Sequence, residues 1–348
     1  MATNAHATRQ PRHDDPSDES VGRRPAAPFG VHPHLVLTYD NTRRDGVGAQ
    51  LHRIYGIYAI SRLLGASYLH SPLAGVGYQG LAALEEDASD PGFHHEFNEL
   101  FEIKSDAPLA EDFHTVFLPS ISIAVFQQLA AMFDTHRTGG RPTLVRIVMP
   151  FGVADRYPDC YEVCTEISPF PPVAPVREGR TVRVAVHVRR GELFVVDSDR
   201  MLPNGYYIAV AQRIARALEA EGCTYQIELY TEVPSSGFVV EPERHGISSR
   251  ITAPVVLSPE MCRLEEFSVL PNLVHRVNGR AIECIHGMAT ADILVMSRSS
   301  LSYLGAILNR AGIVLYHPFW HRAPSSWMTV GPGGQFDEAR FRQAVSAL

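Results

Sequence analysis

Two adjacent arginines follow an apolar strand candidate in this sequence. In VAVHVRRGE (184–192) a short β-branched run, Val184 to Val188, leads directly into Arg189 and Arg190. Ligands of α/β sheets bind outside the carboxyl ends of the strands, and a guanidinium group can donate a fork of hydrogen bonds to phosphate oxygens. The pair is therefore a candidate diphosphate site, although an arginine pair taken alone is more often a solvated surface feature.

Two further segments have the composition of an anion site at a helix N-terminus. DGVGAQ (45–50) is a glycine turn that opens a helix, and ADILVMSRSSLSYLGAILN (291–309) is a strand, a hydroxyl-rich turn and a second helix. Free backbone N–H groups and the helix dipole attract anions at such positions. The first segment lacks the GK[ST] of a P-loop and the third glycine of a dinucleotide fingerprint, so a tight structural turn is its favoured interpretation. Capping explains one serine of the second segment but not three serines beside Arg298, so phosphate contact and a structural role stay equally open there.

Metal-ligand patterns are weak in this sequence. The run DSD (197–199) matches a DxD pattern that can hold a divalent cation, but Pro203 and a helix follow it, so we expect Asp199 to act as a helix cap. Cys160 and Cys164 have a spacing that could hold a metal or form a bridge, but no second pair lies nearby, and two ordinary thiols are the favoured interpretation. We expect no metal and no other cofactor.

Composition limits the classes of partner. The chain has 348 residues, a formal net charge of -7 and no run of about 18 apolar residues, so we expect neither nucleic acid as a partner nor a membrane span. Residues 1–28 lack the apolar region of a signal peptide and are typical of a disordered tail. Five scattered cysteines favour a reducing compartment, and Lys104 is the only lysine, a skew typical of GC-rich bacterial genomes. A cytoplasmic location is the expectation.

The remaining pattern alternates strands and helices in two halves. The first half contains strand 35–41, helix 49–65, strand 66–71, a helical stretch over 79–135 and strand 143–151. A proline-rich segment, 167–179, follows it and marks a domain boundary. The second half contains the candidates strand 181–188, helix 204–221, strand 224–231, strand 252–257, helix 261–269, helix 287–291, strand 292–296, helix 300–310 and strand 312–316. The expected class is α/β, with two doubly wound, Rossmann-like domains that face one another across a cleft.

We divide the chain accordingly. Residues 29–170 and residues 171–334 are expected to form two α/β domains, with a final helix in 335–348. In this order, the segments GVGAQLHRIYGIYAI, HVRRGE and ADILVMSRSSLS resemble motifs of the fucosyltransferase superfamily that contains α1,6-, α1,2- and protein O-fucosyltransferases. The resemblance implies that residues 29–170 are the acceptor-side domain and residues 171–334 the nucleotide-sugar-binding domain. The α1,6 branch is the nearest likeness. The resemblance spans about residues 36–318 but is dense only in these segments.

The resemblance implies a GT-B-type fold, GDP-fucose as the donor, inversion at the anomeric carbon and no metal requirement. Carried over by position, His187 would approach the guanine or the ribose, and Arg189 and Arg190 the diphosphate. Two further groups are implied in the donor site, namely Ser299 and Ser300 at the phosphates, and Gly48 and Ala49 at the nucleotide through their N–H groups. Tyr78 would stack near the base.

The sequence departs from the α1,6 branch after the arginine pair. Gly191-Glu192-Leu193 stands where that branch has Thr-Asp-Lys, so the acceptor-contacting lysine is missing and a different acceptor is expected. The resemblance and the lack of a membrane anchor point to a cytosolic bacterial enzyme that acts on a hydroxyl of a small glycoside or glycoconjugate. Arg190 would stabilise the leaving group. Candidate bases are Asp197, which lies at about the offset of a family carboxylate, and Glu192 and Asp45.

Two alternatives stay open. A GT-B transferase could use another nucleotide sugar, and a non-catalytic protein could have kept the nucleotide-sugar site without the base. Donor turnover separates an enzyme from the second alternative, and a ligand panel separates the donors.

Overall fold

The computed structural model describes residues 29–86, 89–107, 112–171, 181–243 and 251–348. The predicted tail, 1–28, and the larger part of the proline-rich segment, 172–179, lie outside the described residues. Two parallel sheets organise the rest, and their strands lie on either side of that segment. Within the described residues no helix is long and apolar enough to cross a membrane.

The first sheet has four strands in the order β2-β1-β4-β3, all parallel. Its elements in chain order are β1 (Leu35–Tyr39), α1 (Val47–Leu63), β2 (Ser67–Tyr68), α2 (Leu81–Glu85), α3 (Phe93–Phe101), β3 (His114–Ser120), α4 (Ile123–Met132), β4 (Thr143–Met149) and α5 (Phe151–Ala154), followed by a 3-10 helix, Pro158–Glu166. β1 is buried at all its residues, as its apolar, β-branched run predicts. From β1 the chain first adds β2 on one side and then places β3 and β4 on the other side, so the switch point of this sheet lies between β1 and β4.

The strand β3 corrects the prediction of a helical stretch over 79–135. It pairs only with β4 at the edge of the sheet, and most of its side chains are exposed. Pro119 is accepted there because an edge strand needs hydrogen bonds on one side only. Since pairing with β4, rather than a buried apolar face, defines this strand, the local pattern did not reveal it.

The second sheet has six parallel strands in the order β12-β11-β10-β5-β6-β9. The elements are β5 (Val182–His187), α6 (Leu193–Val196), α7 (Asn204–Ala220), β6 (Tyr225–Thr231), β7 (Phe238–Val240), β8 (Val255–Leu257), β9 (Leu273–Val277), α8 (Ala281–Ala289), β10 (Ile293–Val295), α9 (Ser300–Leu308), β11 (Ile313–Tyr316), β12 (Met328–Thr329) and α10 (Glu338–Val345). The strand predicted over 252–257 is β8, which pairs antiparallel with β7 outside this sheet. In place of the helix expected over 261–269 there are two short 3-10 helices, Pro259–Cys262 and Leu264–Val269, and the helix expected over 287–291 begins earlier, as α8.

The strand order creates a switch point in each sheet. From β5 the chain proceeds to β6 and β9 on one side, and then returns to β10, β11 and β12 on the other. Ligands of doubly wound sheets bind in the crevice outside the carboxyl ends at such a point, here between β5 and β10. The two open sheets with their helices form the GT-B-like α/β architecture that the sequence predicts.

Helix α1 joins the two halves. It is buried along nearly its whole length, because it packs on β1, on the 3-10 helix Pro158–Glu166 and on α9 of the second half. One apolar cluster consequently includes Ile54 of α1 and Leu304 of α9. The N-termini of α1 and α9 are therefore held at a fixed distance from one another.

Candidate functional site

A cavity of about 430 Å³ lies between the carboxyl ends of the two sheets. Ten of the eleven residues that the sequence singles out line it, and they are Asp45, Gly48, Ala49, Tyr78, His187, Arg189, Arg190, Glu192, Ser299 and Ser300. Asp197 is not among the described residues that line it. Segments that are far apart in the chain meet here because the segment after β1 of the first sheet and the segments after the parallel neighbours β5 and β10 of the second sheet all line the cavity.

Two helix N-termini, one from each half, open into the cavity. α1 begins at Val47 and α9 at Ser300, and the Oγ of Ser299 caps α9 by accepting a hydrogen bond from the Leu301 N–H (3.2 Å). Gln50 fixes the turn before α1, since its amide nitrogen donates to the carbonyl oxygens of Asp45 and Gly75, both at 2.9 Å. Each N-terminus contributes a partial positive charge, so the cavity favours an anion.

Arg189 is neutralised by two carboxylates. Its guanidinium donates to Glu232 Oε2 at 3.0 Å and to Glu192 Oε1, and it lies 5.5 Å from the centroid of the Tyr78 ring. Burial alone would lower the pKa of Arg189, but Glu192 and Glu232 raise it above its ordinary value. Arg189 is thus a permanently charged residue whose charge is balanced within the protein.

Glu232 is a site residue that the sequence reasoning missed. It follows β6 and accepts hydrogen bonds from Tyr78 Oη (3.1 Å) and from the Leu81 N–H (2.9 Å), so it connects the second sheet to the loop and helix α2 of the first half. The available signal was its position: it comes directly after strand 224–231. Since β5 and β6 are parallel neighbours, the residues that follow them meet at one edge.

Arg190 is buried and is held by neutral groups. Its side chain donates to the carbonyl oxygens of Arg189 (2.7 Å) and Leu202 (3.0 Å) and to the side-chain oxygen of Asn204. The residue is 5% exposed, and burial lowers the pKa of its guanidinium. The solvated-surface interpretation of the arginine pair therefore does not hold for Arg190. Arg190 is a pre-oriented cation at the cavity wall with no ion-pair partner among the described residues.

His187 is buried in the cavity wall and remains neutral. Its Nδ1 lies 2.8 Å from Ser297 Oγ. Burial, assisted by the nearby charge of Arg189, lowers the pKa of His187 to about 3. At neutral pH the ring can therefore take part in hydrogen bonds to a ligand without adding charge to the cavity.

The three candidate bases differ in geometry. Asp45 accepts from Arg53 Nη2 at 2.6 Å and from the Gly46 N–H at 2.9 Å, so its oxygens are already engaged. Asp197 starts a 3-10 helix outside the cavity lining. Glu192 lines the cavity, and its Oε2 is buried without a hydrogen-bond partner among the described residues. Burial raises the pKa of Glu192, although Arg189 opposes the shift.

The expected role of Asp199 as a cap is wrong. Asp199 lies within the three-residue 3-10 helix Ser198–Arg200, and helix α7 begins after Pro203 without a side-chain cap. Its carbonyl oxygen instead accepts a hydrogen bond from Arg298 Nη1 (3.1 Å). In the ranges that the structure describes, no three His, Cys, Asp or Glu side chains are grouped as metal ligands.

No protein-family model and no curated protein matches the chain. Similar solved structures include a mutant of FUT1 from Arabidopsis thaliana in complex with GDP (11% identity, 84% of this chain and 73% of that chain, TM-score 0.37). They also include the E. coli ADP-heptose lps heptosyltransferase II (13% identity, 90% of this chain and 97% of that chain, TM-score 0.34). A third is POFUT1 in complex with GDP (10% identity, 79% of this chain and 94% of that chain, TM-score 0.35). At these identities and TM-scores the similarities assign neither an activity nor a ligand to this chain.

Proposed function

We propose that the protein is an inverting, metal-independent glycosyltransferase that transfers fucose from GDP-fucose to a hydroxyl of a small glycoside or glycoconjugate. The observation that carries the proposal is the convergence of Arg189, Arg190 and the N-termini of α1 and α9 at one cavity. Cations and helix N-termini are suited to a diphosphate. A cavity between two doubly wound sheets leaves room for a donor on one side and an acceptor on the other.

In the proposed reaction, the diphosphate occupies the space between Arg190 and the two helix N-termini. As the bond between the anomeric carbon and the diphosphate oxygen breaks, the leaving group gains negative charge. Arg190 stabilises that charge because its orientation is fixed in advance by Leu202 and Asn204. His187 contacts the nucleoside side of the donor as a neutral group.

The base assigned here is Glu192. Its buried Oε2 would become accessible to the acceptor hydroxyl and accept its proton, and the hydroxyl oxygen forms the new bond to the anomeric carbon on the face opposite the diphosphate. Arg189 holds the other carboxylate oxygen and so orients the group. Glu192 takes precedence over Asp197 and Asp45, because neither of these offers an unengaged oxygen at the cavity.

The choice of guanine and fucose rests on the resemblance of HVRRGE, GVGAQLHRIYGIYAI and ADILVMSRSSLS to fucosyltransferase motifs. The alternative donor is another nucleotide sugar, which would use the same diphosphate contacts. The acceptor is assigned only as a hydroxyl compound, and the reaction is proposed to take place in the cytoplasm.

A thermal-shift panel of GDP, UDP and dTDP, with their sugars, tests the proposal. A ligand that binds only the folded state raises stability by RT ln(1 + [L]/Kd), so GDP and GDP-fucose should give the largest shifts, and EDTA should not change them. Release of GDP from GDP-fucose tests turnover. A larger shift with UDP or dTDP would show that the donor carries a different nucleotide. Binding without turnover would show that the protein is a non-catalytic nucleotide-sugar-binding protein. No shift with any nucleoside diphosphate would refute the proposed function.

A further inference from the structure

A third arginine of the cavity wall belongs to none of the sequence motifs. Arg200 ends the 3-10 helix Ser198–Arg200 and lines the same cavity as Arg189 and Arg190. Its guanidinium lies 4.6 Å from the centroid of the Trp320 ring, in the loop after β11. Trp320 is 49% exposed, an unusual position for tryptophan unless its ring supports another group.

The charge of Arg200 is not balanced by a direct partner. Where Arg189 has two carboxylates, Arg200 forms no ion pair with any residue that the structure describes, and its Nε is buried without a hydrogen-bond partner there. Burial and repulsion by Arg189 lower the pKa of Arg200, and the carboxylates of Glu192, Asp197 and Asp45, which are not in contact with it, offset only part of that shift. A partly buried cation without an ion-pair partner in contact costs free energy in the empty protein, and a bound anion would reduce that cost.

We propose that Arg200 binds the diphosphate of the donor, and that Trp320 positions Arg200 for this contact. The assignment rests on the proposed function and deepens it. Because Glu192 and Glu232 neutralise Arg189, a dianionic group needs charge from elsewhere in the cavity, and Arg200 and Arg190 supply it. The stacked ring restricts the guanidinium without using any of its N–H donors, so these stay available for phosphate oxygens.

The test compares binding of GDP, GMP and inorganic pyrophosphate to the wild type, Arg200→Ala, Arg200→Lys, Trp320→Ala and Trp320→Phe by calorimetry. Arg200→Ala should weaken GDP and pyrophosphate about 10- to 100-fold and GMP by clearly less, as expected for loss of charge-assisted bonds to a second phosphate. Arg200→Lys should recover only part of the loss. Trp320→Ala should weaken GDP several-fold, and Trp320→Phe should restore most of the affinity.

Thermal stability of the empty protein distinguishes a ligand contact from a structural role. Arg200→Ala should leave the Tm unchanged or raise it, because the variant removes an unbalanced cation beside Arg189. Arg156→Ala is the matched control, since the Arg156 guanidinium lies 5.8 Å from the Tyr157 ring but outside the cavity lining. This control should keep wild-type affinity for all three ligands.

The outcomes separate this proposal from the function on which it rests. Equal affinity of wild type and Arg200→Ala for GDP and pyrophosphate, or a marked fall in the Tm of the empty variant, overturns the assignment of Arg200 and leaves the proposed function intact. If pyrophosphate binds and depends on Arg200 while no nucleoside diphosphate does, the anion site stands and the proposed function fails. If the wild type binds none of the probes, both fail.

Discussion

The backbone of Gly48 lies directly against that of Leu301. A Cβ atom added to Gly48 would lie 2.7 Å from Leu301 Cα and 2.9 Å from its nitrogen, far inside van der Waals contact. Gly48 is in the first turn of α1 and Leu301 in the first turn of α9, so this contact sets the spacing of the two N-termini that face the cavity. Glycine is required at this position because the two backbones approach so closely. The backbone conformation of Gly48 is helical and would by itself accept any residue with a Cβ atom.

Replacing Gly48 by alanine should separate the two N-termini. We expect a loss of about 1–3 kcal/mol in the free energy of unfolding, typical of overpacking in a rigid interface, and a fall in affinity for GDP of at least 10-fold. Denaturant unfolding and calorimetry measure the two effects. Gly205→Ala is the control, because an added Cβ on that helical glycine meets nothing within 4 Å and should be neutral or stabilising. Unchanged GDP affinity in Gly48→Ala would show that the contact between Gly48 and Leu301 does not control the binding of the donor.

Arg190→Ala should lower kcat/KM about 100- to 1000-fold, which corresponds to about 3–4 kcal/mol of transition-state stabilisation. Arg190→Lys should not restore activity fully, since an ammonium group cannot reproduce the fork of contacts to Leu202 and Asn204. The alanine variant should also be less stable, because it leaves buried acceptors without a donor. Arg340→Ala, which changes an exposed side chain outside the cavity, is the control. Near-native kcat/KM in both Arg190 variants would remove Arg190 from the proposed mechanism.

The sequence predicts the convergence of the motifs for a physical reason. HVRR and the serine turn follow neighbouring parallel strands, whose carboxyl ends lie at one edge of a sheet, and the glycine turn follows a strand of the second open sheet, which the expected cleft places opposite. Local pattern does not give strand order, so the proximity of Glu232 to Arg189 and the edge strand β3 were not predicted. The family resemblance ranks Asp197 first among the bases from its offset, and such an offset does not show whether a side chain lines the cavity: Glu192 and Arg200 line it, whereas Asp197 between them does not.

His187 should make the protein less stable in acid. Its pKa is lowered to about 3 in the folded state, whereas the unfolded chain binds the proton near the ordinary value of 6.5. Below about pH 6.5 the unfolded state therefore binds more protons, and stability falls as the pH falls toward 3. The slope from this one residue approaches about 1.4 kcal/mol per pH unit. Chemical denaturation between pH 7 and pH 4 should show a shallower decline in His187→Gln, and His136→Gln, at an exposed position, should keep the wild-type slope. An unchanged slope in His187→Gln would contradict the buried neutral state.

Glu192 should control the acidic limb of the rate profile. A base acts in its ionised form, and burial raises the pKa of Glu192, so kcat/KM should fall at a higher pH than an ordinary glutamate near pH 4.3 would cause. Glu192→Gln keeps the shape of the side chain and should lower kcat about 100- to 10,000-fold without weakening the binding of GDP, because it removes a negative charge beside Arg189. Glu192→Asp should retain more activity than the glutamine variant, because it keeps the carboxylate.

Asp197→Asn is the matched control from outside the cavity lining and should leave both kcat and the acidic limb of the pH-rate profile unchanged. If Asp197→Asn abolishes turnover and Glu192→Gln does not, the base is Asp197, and the loop after α6 must move toward the acceptor during the reaction.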